Sequence, residues 1–129
     1  MIKTAPQLVA EAKAGIKEVP ISELEQQLAH QIVIIDVREP QEYAQGFVPG
    51  AVNLPRGILE TSLTELPQVK GAESPLEELA QRELYLYCRS GARSALATES
   101  LMRMGFDKVY SVDGGFEAWK KADLRIETP

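Results

Sequence analysis

The sequence predicts an α/β domain, a parallel sheet flanked by helices on both faces. Three observations predict it. Ile32-Val33-Ile34-Ile35-Asp36-Val37 is a β-branched apolar run interrupted only by Asp36, the composition of a strand buried on both sides. Glu83-Leu84-Tyr85-Leu86-Tyr87 leads straight into Cys88, then a short polar loop with one glycine, then a small-residue helical pattern over Ala95–Leu101. Strand-like and helix-like segments alternate around these two units, the order expected of a doubly wound sheet.

Taken in chain order, Leu8–Ala14 reads as a short amphipathic helix, with Val9, Ala12 and Ile16 spaced for one face. Lys17-Glu18-Val19 is a short edge strand stopped by Pro20. Ile21–Leu28 is a second helix, with Ser22 as N-cap and Glu25 completing a capping box. His30 falls at the end of that helix, where an exposed imidazole favours the C-terminus. Glu39–Tyr43 starts another short helix, with Pro40 in its first turn. Gly46 and Pro49-Gly50 mark turns, and Ala51–Leu54 is a third strand before Pro55. Residues 56–82 are broken by Pro67, Gly71 and Pro75, but Ser74–Ala80 reads as a capped helix. Beyond Cys88 the helix runs to about Met104, with Gly105 as C-cap. Val109–Val112 is a further strand and Asp113-Gly114-Gly115 a turn, favoured over a phosphate-binding loop. Phe116–Trp119 is a last helix, and Phe116 and Trp119 at i and i+3 read as core packing.

Composition narrows the function. At 129 residues the chain fits one domain, spanning 1–129, with a core of about 19–126 preceded by the N-terminal helix. A net charge of −5 gives no footprint for nucleic acid or an anionic membrane. No apolar run approaches the roughly 20 residues of a membrane span, and the first residues lack the apolar core of a signal peptide. A single cysteine forms no internal disulfide and fits a reducing, cytoplasmic setting. One Cys and one His far apart do not make a zinc site, and no cofactor is implied.

In an open parallel sheet, ligands gather beyond the carboxyl ends of the strands. Asp36 and Cys88 both lie at such ends, which makes them expected neighbours. A strand that ends in cysteine and turns into a helix aims the sulfur at N–H groups carrying about half a positive charge. An ordinary thiol, with a pKa of ~8.5, is only a few per cent ionised at pH 7, so a cysteine nucleophile needs local positive potential. The helix dipole contributes ~0.3–1 kcal/mol. Successive loop N–H groups add an anion nest, and Arg89 and Arg93 add fixed charge. No partner histidine is apparent. Gly91 permits the chain reversal, and the Ser90 and Ser94 hydroxyls are candidates to cap the helix or contact the sulfur. Arg89 is the candidate for meeting an anionic donor, with a solvent-facing charge as the alternative. Arg93 is favoured as a structural ion pair or loop clamp over a substrate contact. Asp36 and Arg38 brace the neighbouring loop, or else form a strand-end ion pair without catalytic effect. Arg56-Gly57 is placed at the border of the site mouth.

Four pieces carry a resemblance. They are Asp36-Val37-Arg38-Glu39-Pro40 with Glu42-Tyr43; Gly46 through Pro55; Cys88-Arg89-Ser90-Gly91-Ala92-Arg93-Ser94; and Asp113-Gly114-Gly115-Phe116 with Trp119. In this order and at these intervals the chain resembles the rhodanese family. The resemblance implies a single rhodanese-like domain and a sulfurtransferase in which Cys88 is catalytic and carries sulfane sulfur as a persulfide. It implies that Arg89, Ser90, Gly91, Ala92, Arg93 and Ser94 form the active-site and substrate-binding loop, with Asp36 and Arg38 in support. The implied donor is thiosulfate or a low-molecular-weight persulfide, and the implied acceptor is cyanide, a small thiol or a thiol protein. Phe47 stands where the family commonly has histidine, and Arg125 where it often has proline. Two other readings compete. Cysteine-dependent phosphatases share this type of fold, but they place five residues between Cys and Arg, against four between Cys88 and Arg93. A non-catalytic interaction or sulfur/redox-sensing module would use the fold alone.

Overall fold

The two most apolar strands stand side by side at the centre of the sheet. In the computed structural model, which describes residues 1–129, β2 (Val33–Asp36) and β4 (Leu84–Tyr87) are buried at every position. They pair in parallel from Val33↔Leu84 to Asp36↔Tyr87. A strand covered on both sides has no solvent face to mark with polar residues, so these segments are continuously apolar. β5 (Val109–Val112) lies beyond β4, with β1 (Glu18–Val19) at that edge, and β3 (Val52–Asn53) lies beyond β2 at the other. All four pairings are parallel.

Successive strand side chains point to opposite faces, and this divides the core. Val33, Ile35, Val37, Leu84 and Leu86 face one side, and Cys88 belongs to the same cluster. This face is covered by α6 (Ala92–Met104) through Ala97 and Leu101, by α4 (Leu59–Ser62) through Leu59, and by α5 (Pro75–Leu79) through Leu79. Ile34, Tyr85 and Tyr87 face the other side, against Leu24 of α2 (Ile21–Gln27) and Phe116 and Trp119 of α7 (Gly115–Lys121). α3 (Pro40–Ala44) follows β2 and buries no residue fully. Burying a large apolar side chain is worth ~1.5–3 kcal/mol, so these two clusters, and not the short helices themselves, hold the layers together.

Several local expectations change. α1 runs over Ala5–Gly15, starting before Leu8, because Thr4 and Gln7 make a reciprocal capping box and Pro6 occupies the first turn. It packs against α6 with Ala12 fully buried. Ser22 is not the N-cap of α2. The helix begins at Ile21, Pro20 holds the cap position two residues before Ser22, and no side chain caps it. Ser22 is already helical, so its hydroxyl cannot serve as the cap. Ser74 does stand at the N-cap of α5 but makes no capping bond. Residues 56–82 resist a periodic reading because they wind through 3-10 turns at Arg56–Ile58 and Leu63–Glu65. Leu59, Leu63 and Leu66 are nevertheless completely buried. Phe47 stacks on Tyr43 with ring centroids 4.1 Å apart and forms an antiparallel bridge with Glu127, tying the C-terminal segment to the loop after α3.

Candidate active site

Cys88 is the first residue after β4, and the chain reverses over Arg89-Ser90-Gly91 before α6 begins at Ala92. Gly91 is the N-cap of α6, with φ at +116°. That conformation is open to glycine and strained for other residues, and it turns the Gly91 amide inward. The Cys88 sulfur accepts from Gly91 N–H at 3.1 Å and Ser94 N–H at 3.4 Å. The Ser94 hydroxyl lies 3.6 Å from the same sulfur. Cys88 is only 1% exposed. The expected capping role of Ser90 and Ser94 is not found. No side chain caps α6; Ser90 is exposed, while Ser94 is buried and turned toward the sulfur.

α7 fixes this loop from behind. Phe116 N–H donates to the Cys88 carbonyl at 2.8 Å and Glu117 N–H to the Arg89 carbonyl at 3.0 Å. Gly114 and Gly115 both take left-handed conformations there, and a Cβ on Gly115 would run into the carbonyl oxygens of Cys88 and Arg89. The pair expected as a turn is therefore also the contact by which α7 grips the cysteine loop. Lys13 of α1 reaches the same loop, its ammonium 3.8 Å from where a Cβ on Gly91 would sit.

Asp36 and Arg38 meet as a buried pair beside Cys88's strand. The Arg38 guanidinium donates to both Asp36 oxygens, at 2.7 Å in the shortest bond, and to the Gly46 carbonyl at 2.7 Å. It also lies 4.3 Å from the centre of the Phe116 ring. Burial works against the guanidinium's charge, but the Asp36 carboxylate more than offsets it and holds Arg38 above its ordinary value. Tyr87 donates its hydroxyl to Asp36 at 2.8 Å and accepts from Val48 N–H at 3.1 Å. Burial first, and Asp36 second, push the Tyr87 phenol far above its usual range. The Asn53 amide donates to the Asp36 and Arg38 carbonyls at 2.9 and 2.8 Å. These bonds tie the end of β2 to the Gly46–Val48 segment, to Asn53 and to Tyr87.

Arg93 makes a two-pronged ion pair with Glu42, at 2.7 and 3.0 Å, joining α6 to α3. The Arg93 hydrogen bond is the largest influence on Glu42, whose carboxyl is lowered to about 2; the carboxylate in turn raises Arg93. Arg89 points outward, 71% exposed, and pairs with Glu117 at 3.0 Å. Ala92 is exposed in the first turn of α6. Arg56, placed at the site mouth by its position after β3, instead pairs with Glu60 at 3.0 Å and does not line the neighbouring cleft. That cleft, of about 340 Å³, is bordered by Arg38, Glu42, Arg89, Phe116, Glu117 and Lys120. Sequence reasoning missed Tyr87, Asn53, Glu42 and Ser111, whose hydroxyl lies 2.9 Å from Ser94 Oγ, as parts of the site. Tyr87 and Ser111 look like ordinary strand residues, and Glu42 like an ordinary helix residue, until the fold brings them to their partners.

The family model of the rhodanese-like domain matches residues 20–122. A sulfurtransferase of Allochromatium vinosum is 34% identical over 116 residues, which cover 88% of this chain and 97% of that protein. Among solved structures, a Rhodopseudomonas palustris protein of unknown function, described as a possible tyrosine phosphatase, superposes with a TM-score of 0.81. It is 31% identical, and the match covers 98% of this chain and 96% of that one. A rhodanese-like domain protein of Staphylococcus aureus gives a TM-score of 0.70 at 28% identity, over 88% of this chain and 99% of its own. The matched span runs from the start of α2 to the end of α7 and contains both the sulfur cradle and the buried pair that braces it. The chain belongs to the rhodanese-like domain family.

Proposed function

We propose that the protein is a sulfurtransferase that carries one sulfane sulfur on Cys88. The observation that supports this best is the pair of backbone N–H groups converging on the sulfur, at 3.1 and 3.4 Å. Such donors favour a sulfur anion and need no rearrangement when it forms, which is electrostatic preorganisation. The Cys88 thiolate attacks the outer sulfur of thiosulfate; the S–S bond of the donor breaks, sulfite leaves with its electron pair, and Cys88–S–S⁻ remains. With a low-molecular-weight persulfide as donor, the leaving group is the parent thiolate. A nucleophilic acceptor (cyanide, a small thiol or a thiol protein) then takes the outer sulfur and returns the Cys88 thiolate. Cyanide leaves as thiocyanate.

Arg89 is the residue we assign to the anionic donor. Its ion pair with Glu117 is exposed, and such pairs are worth little, so the guanidinium exchanges one anion for another at small cost. Arg93 is committed to Glu42 and serves as a clamp. Ser90, Gly91, Ala92 and Ser94 shape the loop, and Asp36 and Arg38 support it from below. A single free thiol suits a reducing, cytoplasmic setting, with residues 1–129 acting as one domain. No helix is long and apolar enough to cross a membrane.

The test is the thiosulfate–cyanide reaction in the purified protein and in Cys88→Ser. Turnover is expected in the first and absent in the second; equal rates would overturn the proposal. One observation favours a second reading, the structural likeness to a protein described as a possible tyrosine phosphatase. The loop argues against it. Four residues separate Cys88 from Arg93, and Arg93 is engaged with Glu42. Steady hydrolysis of an aryl phosphate, lost in Cys88→Ser, would establish that reading instead. A non-catalytic sensing module is what remains if donor treatment leaves no sulfur on Cys88.

A further inference from the structure

We propose that Ser111 of β5 is a positioning residue for Cys88, acting through Ser94 so that the Ser94 hydroxyl can turn its proton onto the sulfur when the sulfur is anionic. This rests on Cys88 reacting as a thiolate. Ser111 is completely buried, and a buried hydroxyl needs a hydrogen-bond partner. Its side-chain partner is Ser94 Oγ, at 2.9 Å.

Either hydroxyl could donate in that bond, and the direction follows from where the Ser94 proton goes. Ser94 Oγ lies 3.3 Å from the Gly91 carbonyl, which only accepts, and 3.6 Å from the Cys88 sulfur. Ser94 has one proton. If that proton goes to the carbonyl or to the sulfur, Ser111 must be the donor between the two hydroxyls. Ser94 Oγ then has two lone pairs to offer, one for Ser111 O–H and one for the Cys88 S–H of the neutral thiol. When the sulfur loses its proton, the second donor disappears. The Ser94 proton can then leave the Gly91 carbonyl, whose 3.3 Å bond is long for a hydroxyl donor, and point at the sulfur. The anion gains a third donor beside the Gly91 and Ser94 amides. Donation from Ser111 polarises the Ser94 hydroxyl in the same sense, and it prevents Ser94 from spending its proton on Ser111.

The same species benefits in both halves of a sulfur transfer. The Cys88 thiolate is the nucleophile when sulfur is loaded and the leaving group when it is discharged, so Ser111 assists both steps without touching substrate.

Ser111→Thr and Ser111→Val have the same shape and differ in the hydroxyl. The readout is the rate at which iodoacetamide alkylates Cys88 as a function of pH, with the melting temperature of each variant recorded. Ser111→Thr is expected to keep the wild-type profile. Ser111→Val is expected to move it to higher pH, with alkylation at neutral pH slowed about 3- to 10-fold, as for loss of one buried hydrogen bond, and with an unchanged plateau. Adding Ser94→Ala to Ser111→Val is expected to slow alkylation no further than Ser94→Ala alone, because the two residues act in series. Coincident profiles for Thr and Val, or additive effects with Ser94→Ala, would overturn the proposal. If the larger side chains do not fold, Ser111→Ala read in the same assay decides it, an unmoved profile being fatal. Alkylation does not depend on sulfur transfer. A wild-type protein that takes up no sulfur would defeat the functional reading and leave this test intact.

Discussion

At the scale of single residues, Cys88 combines near-complete burial with two converging backbone donors. On the proposed function, a sulfur held this way is expected to admit only small or slender partners. The charged side chains around it have divided roles, and local sequence did not settle all of them. Arg93 was favoured from the sequence as a structural ion pair or loop clamp over a substrate contact, and it pairs with Glu42. The identity of that partner was not legible, since Glu42 lies 51 residues away. The separation of Tyr87 from Asp36 is also 51 residues, and pairs at that range follow from strand order and not from local pattern. Arg89, by contrast, is exposed and tied only to Glu117. Removing it is expected to change selectivity and not stability. Arg89→Ala should raise the KM for the dianion thiosulfate severalfold while an uncharged donor is used nearly as well, with the melting temperature unchanged. Parallel steady-state kinetics with the two donors check this, and equal losses would take Arg89 out of donor binding.

At the scale of elements, two contacts decide where the cysteine loop sits. The first is the docking of α7 on the Cys88 and Arg89 carbonyls, which requires Gly115 because a Cβ there meets backbone that cannot move aside independently. Left-handed strain alone costs on the order of 1–3 kcal/mol. Gly115→Ala is expected to lower unfolding stability by at least about 2 kcal/mol and to cut sulfur loading on the fraction that remains folded. Urea denaturation and single-turnover loading measure the two effects. The double glycine was read as a turn, which holds for Gly114, whereas Gly115 opens α7; nothing local told that the carbonyls beside Gly115 would be those of the nucleophile's own loop. The second contact is Glu42–Arg93 between α3 and α6. The Glu42 carboxyl is depressed in the folded protein, so its contribution to stability is present above the unfolded value of ~4.3 and is lost as pH falls through about 2. Glu42→Gln is expected to cost about 1 kcal/mol at neutral pH after solvent screening, and the gap from wild type should close between those two pH values. Denaturant melts across that range would show a constant gap if the ion pair were not its source.

At the scale of the whole molecule, the parallel sheet was legible because its centre is buried on both sides and its sequence says so. Val33–Asp36 and Leu84–Tyr87 leave no polar face, and both strands deliver their last residues to one end of the sheet. That placement brings Asp36 and Cys88 into one neighbourhood, as ligand sites beyond strand carboxyl ends require. What stayed illegible was the cover over one face in residues 56–73, where 3-10 turns replace regular periodicity, while the helix expected over Ser74–Ala80 is present as α5. The start of α1 was also missed, its capping box lying ahead of the apolar pattern. Ser111 was read only as a strand residue, because alternation along β5 says which way it points and not that a hydroxyl from another element waits there.

The proposed sulfur transfer requires that one sulfur atom be carried on one side chain. Its most direct test is the intact mass of the protein after exposure to thiosulfate and removal of excess donor, followed by peptide mapping. A gain of a single sulfur atom is expected, located on Cys88, discharged by cyanide and absent in Cys88→Ser. A protein whose mass does not change, or which gains sulfur in Cys88→Ser as well, would contradict it.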